Sequence, residues 1–115
     1  MAELTTDRIL TLAPDAASAA SARSLASPAR WAALHADHDV LWGHCQGSGK
    51  TPYLTSVDRA EPGATRCTCP SRKFPCKHAL ALLLLRAQQP DAFGADPAPE
   101  PVRTWMTGRT ARAAA

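Results

Sequence analysis

Three thiols and an imidazole fall within twelve residues of this chain, in Cys67-Thr-Cys-Pro-Ser-Arg-Lys-Phe-Pro-Cys-Lys-His78. Written as a pattern this is C-x-C-x6-C-x-H, with Cys67, Cys69, Cys76 and His78 as candidate metal ligands. Such donors suit a tetrahedral Zn²⁺ site, with sulfur at about 2.3 Å and imidazole nitrogen at about 2.0–2.1 Å. In an extended pair, residues two apart point to one side, so Cys67 and Cys69 can face a common centre. On a helix the same spacing points side chains apart. Cys76 is therefore expected at the mouth of a helix, with His78 in its first turn. Pro70 and Pro75 interrupt regular structure at the loop boundaries. Four donors with no vacant position describe a closed, structural site and not a catalytic one.

At 115 residues the chain is expected to hold one domain with tails. The metal-bearing segment is roughly 50 residues, a size at which a structural metal commonly supplements a thin core. No basic start leads into an apolar stretch, so no secretion signal is expected. The longest apolar run, residues 79–85, is far short of the roughly 20 residues that span a bilayer. A cytoplasmic protein without membrane segments is the expectation, and there a close Cys/His cluster reads as metal-binding before it reads as disulfides.

Three segments follow from the patterning, at 1–39, 40–89 and 90–115. In the first, Thr5 or Thr6 can cap a helix with Ile9, Leu10 and Leu12 on its apolar face, ended by Pro14. Residues 15–26, rich in Ala and Ser, form a second helix or a semi-ordered connector. Ser27-Pro28 reads as a cap followed by proline at the first helical position, and Trp31, Leu34 and His35 recur at helical spacing. His35, Asp37, His38 and Asp39 could be taken for a second metal site, but clusters of this kind usually face solvent.

In the second segment the period changes. Residues 40–45 and 53–57 are strand-like in composition and are joined by a loop at 46–52. Glu61-Pro-Gly63 is a turn in which glycine permits a positive φ. Residues 65–69 make a third strand carrying the first two ligands, and 77–89 make the main helix, ended by Pro90. The expected fold class is α+β: a three-stranded antiparallel sheet plus a helix, preceded by N-terminal helices. Leu82 and Leu85 share the His78 face of the main helix. Leu80, Leu83 and Leu84 need a second cover, from the N-terminal helices or from a partner. In the third segment, Pro101 starts a short helix that docks Trp105, and 107–115 reads as a frayed tail.

C-x-C-x6-C-x-H, after a β hairpin and before an apolar helix, resembles the SWIM zinc finger. The stretches Trp42-Gly-His-Cys-Gln-Gly-Ser-Gly-Lys-Thr-Pro-Tyr53 and Cys67 to Leu80 are similar to the bacterial SWIM proteins in particular, which tend to be longer than this chain. The resemblance covers residues 40–89. It implies a ββα-type module with Zn²⁺ held by Cys67, Cys69, Cys76 and His78, and a role in binding DNA or proteins.

Net charge is +3, but residues 41–89 carry seven cations against two acids. Arg66, Arg72, Lys73, Lys77, Arg86 and Lys50 are the candidate nucleic-acid or partner contacts, with Phe74 able to stack or insert; the same charges can instead offset the anionic zinc–thiolate cluster. Gly47-Ser-Gly-Lys-Thr51 is no P-loop, since His44 stands where the first glycine belongs and a strand follows where a helix is needed. Cys45 and His44 read as ordinary strand residues. No paired carboxylates or nucleophile–base arrangement stands out, so the reading is non-enzymatic, with no small-molecule substrate: a zinc-stabilised protein-interaction module, part of a larger assembly, with DNA binding as the alternative. A redox role for Cys67 and Cys69 would need a reactive pair.

Overall fold

The computed structural model describes residues 5–46, 51–70 and 73–114, and side chains through 109. The chain begins with two capped helices. Thr5 Oγ1 accepts from the Arg8 N–H (3.3 Å) to start α1 (Thr6–Thr11), and Asp15 Oδ1 accepts from the Ser18 N–H (2.7 Å) to start α2 (Ala16–Leu25). Both caps satisfy amide donors that a helix leaves orphaned in its first turn.

Four strands follow, β1 (Trp31–Ala36), β2 (Val40–Cys45), β3 (Tyr53–Asp58) and β4 (Thr65–Cys67), in the order β1-β2-β3-β4 and antiparallel throughout. The sheet thus has one strand more than the sequence indicates. The helix expected around Trp31, Leu34 and His35 is β1; the Ser27-Pro28 signal yields a single 3₁₀ turn, Pro28–Arg30. The physical reason is a β-bulge. Trp31 pairs with Cys45 and Ala33 with His44, so two residues of β1 advance against one of β2. The extra residue brings Trp31 and Leu34, three apart, onto one face, and a strand acquires helical spacing. The turn after β3 closes through the Ala64 N–H to the Glu61 carbonyl (2.8 Å), and no described glycine takes a positive φ, Gly63 included.

Helix α3 (Lys77–Gln88) lies on one face of this sheet, and α1 and α2 lie on the far side of α3. That arrangement explains why α3 is apolar around its circumference: Leu80, Leu82, Leu83, Leu84 and Leu85 are all buried. The second cover for Leu80, Leu83 and Leu84 is therefore supplied within the chain. Helix α4 (Glu100–Ala114) covers the other face of the sheet, where Val102, Trp105 and Met106 pack with Val40, Trp42 and Leu54. It is longer than the short helix with a frayed tail that the sequence suggests. Arg109 donates to Asp58 (3.1 Å) and Glu61 (2.6 Å), which fastens its later turns to the loop after β3.

The segment before α4 runs beside β1, with the Gly94 N–H bonded to the Leu34 carbonyl (2.9 Å) and the Ala36 N–H to the Gly94 carbonyl (2.9 Å). His35 Nδ1 accepts from the Asp96 N–H (3.3 Å), and Asp37 accepts from the Ala98 N–H (2.9 Å). These side chains fasten a strap to the sheet. Among the described residues they gather no metal-binding group. No described helix is long and apolar enough to cross a membrane.

Candidate metal centre

The four ligand atoms come from three pieces of backbone. Cys67 ends β4, Cys69 lies two residues on in the loop, Cys76 is the N-cap of α3, and His78 is the second residue of that helix. The Thr68 N–H bonds to the Leu54 carbonyl (3.1 Å), prolonging the β3–β4 ladder past Cys67. The Cys76 backbone is extended (φ −73°, ψ 166°), and its Sγ accepts from the Ala79 N–H at 3.5 Å. The thiol thus occupies the place of a capping oxygen, where the positive end of the helix favours a thiolate.

The four atoms lie within 4.8 Å of one another, and Cys67 Sγ is 3.8 Å from His78 Nδ1. Donors at about 2.3 Å from a tetrahedral centre stand roughly 3.8 Å apart, so the cluster needs only a small contraction to hold an ion. Cys76 and His78 are buried, and Cys67 and Cys69 partly so. The donor set, the spacing and the burial all fit Zn²⁺.

Residues 53–87 match the family model of the SWIM zinc finger. These residues are a SWIM zinc finger. No curated protein and no solved structure matches the chain.

Two thiols of the SWIM finger, Cys67 and Cys76, are coupled by a hydrogen bond. Cys67 is pushed up to about 12, first by its hydrogen bond to Cys76 and then by burial. Cys76 is held below the usual thiol range, first by that same bond and further by the Ala79 N–H. Of the two, Cys76 is the better thiolate. A divalent cation must displace the protons that the thiols hold, so zinc capture releases protons and weakens in acid. Thr55, fully buried on β3, places Oγ1 3.2 Å from Cys67 Sγ, and the Tyr53 ring lies 5.0 Å from that of His78. Partners of this second layer orient ligands and tune their basicity. Nothing in the sequence alone marks Thr55 out, beyond the alternation of Tyr53, Thr55 and Val57 along a strand that faces the ligands.

The fold distributes the candidate contact residues. Phe74 and Lys73 sit on the loop of the SWIM finger, and Lys77 opens α3 beside them. Lys73 Nζ reaches Asp15 at 2.6 Å, tying the loop to the N-cap of α2. Arg66 lies on the opposite face, in a groove with Trp105 and Glu100. Arg86 is at the far end of α3, bonded to the Pro90 carbonyl (3.4 Å) and over the Phe93 ring (5.4 Å). Lys50 and Arg72 lie outside the described residues, as does most of the loop at 46–52. Cys45 is fully buried, and burial pushes its thiol up to about 11.

Proposed function

We propose that this chain is a non-catalytic binding module of a reducing, cytoplasmic environment, in which a structural zinc ion fixes a loop that engages a protein partner, as one part of a larger assembly. The observation that carries the reading is Phe74. It is 73% exposed and is the large hydrophobic side chain left outside the core among the described residues. Its loop is anchored at both ends by metal ligands, so a partner would meet it with little ordering cost, and exposed aromatics flanked by cations are typical anchors of interfaces. The leucines of α3 lend the reading no support, since the chain covers them itself.

A second reading, nucleic-acid binding, rests on Lys73 and Lys77, which flank Phe74 in the sequence, since an aromatic near cations also suits a stacked base. Capture from the native cell extract, with and without nuclease, separates the two. The protein reading expects a partner held by the wild type, retained after nuclease, and lost with Phe74→Ala at unchanged zinc content. Loss of the partner on nuclease treatment, together with salt-sensitive binding of a DNA duplex or single strand, would favour the second reading.

A further inference from the structure

Between α2 and the zinc loop lies a cleft of about 760 Å³ that the partner reading does not use. Three cations from three elements line it: Arg30 from the 3₁₀ turn before β1, Lys73 from the loop and Lys77 from the start of α3. No carboxylate lines it among the described residues, and Ser18 and Ser21 place hydroxyl-bearing side chains on the α2 wall. Leu25 and Tyr53 also line it, adding an apolar side chain and an aromatic ring. Arg30 and Lys77 are exposed.

We propose that this cleft binds a phosphate group carried by a nucleotide, either free or at the end of a strand. The charge balance selects the ligand class. Asp15 takes up one cation at Lys73 (2.6 Å), and a three-thiolate, one-imidazole zinc cluster behind Cys69 and His78 offsets another. The lining stays net positive, with donors arriving from several directions. A tetrahedral phosphate uses such a set more fully than a planar carboxylate, which a single guanidinium can satisfy. The volume lies within the usual range for small-ligand sites, and Tyr53 and Leu25 add aromatic and apolar surface to the lining, which a base can use. The proposal is independent of Phe74, so it can fail without the partner reading failing, and the reverse.

The test uses the full zinc-loaded chain, ¹⁵N-labelled, titrated with inorganic phosphate, AMP and adenosine. AMP is expected to shift Ser21, Arg30, Tyr53 and Lys77 saturably, with phosphate moving the cationic subset at higher concentration and adenosine doing little. Arg30→Ala and Lys77→Ala should each weaken AMP binding about tenfold at unchanged zinc content, and Phe74→Ala should leave it intact. Tighter binding of a short 5′-phosphorylated oligonucleotide than of its unphosphorylated form, beyond that of AMP, assigns the phosphate to a strand end; AMP binding more tightly assigns it to a free nucleotide. Absence of saturable shifts with both phosphate and AMP overturns the proposal, as does adenosine binding as well as AMP, or variants that bind like the wild type.

Discussion

Thr55 shows how one hydroxyl can matter at the metal centre without touching the metal. It is fully buried, and its Oγ1 stands 3.2 Å from Cys67 Sγ. Burying a thiolate in an apolar place is costly, and a hydrogen bond to the sulfur offsets part of that cost. Thr55→Val keeps the shape of the side chain and removes the donor. The expected result is zinc affinity lowered about tenfold with the fold intact, measured by competition against a chelating dye. Equal affinities would show the contact to be incidental. The four-residue cluster itself was legible because three cysteines and a histidine at ligand spacing rarely serve any purpose but holding a metal. Thr55 was hidden because a threonine in a strand is ordinary until the fold shows what it faces.

Among the elements, β1 departs furthest from its sequence pattern, and Gly43 explains how the bulged strand is accommodated. A Cβ at Gly43 would stand 2.6 Å from the Ala33 carbonyl oxygen and 3.0 Å from the Trp31 ring. Glycine therefore opens the space taken by the Trp31 ring, whose Nε1 donates to the Leu25 carbonyl (3.0 Å), joining α2 to β1. Gly43→Ala pushes against backbone, so it should cost about 1–3 kcal/mol, read as a lower denaturant midpoint with altered Trp fluorescence. A wild-type midpoint would show that the sheet yields there. The remaining strands and α3 were readable from period and composition, but a bulge turns a period of two into a spacing of three.

A second element-scale prediction concerns the cap of α2. Asp15 is lowered to about 2 from an ordinary 3.8, first by Lys73 and then by the Ser18 N–H. A depressed carboxylate contributes stability above its unfolded value and loses it as pH falls through the folded one. Wild type should therefore exceed Asp15→Asn in melting temperature at pH 7, with the gap closing between about pH 4 and pH 2. A gap constant across that window would separate the cap from the carboxylate's charge.

The whole molecule is layered: α1 and α2, then α3, then the sheet, then α4. The Cys/His cluster lies at one corner of these layers, where a zinc ion would join β4, the loop and the mouth of α3. The rest of α3 is held by five buried leucines, each worth about 2 kcal/mol on burial, and the far face of the sheet has its own cluster around Trp42 and Val102. Removing the ion should therefore loosen the molecule from that corner inward. With a strong chelator under reducing conditions, hydrogen exchange should lose protection first in residues 65–70 and 73–80. Protection in β1, β2, β3 and α4 should persist longest, since the β1–β2 and β2–β3 ladders and the Arg109 clamp to Asp58 and Glu61 do not pass through the ligands. Uniform loss would mean that the ion supports every layer, as in the smallest zinc domains. Unchanged protection in all segments would remove zinc from the account of this fold, and with it the reason for Phe74 to be held out on a fixed loop.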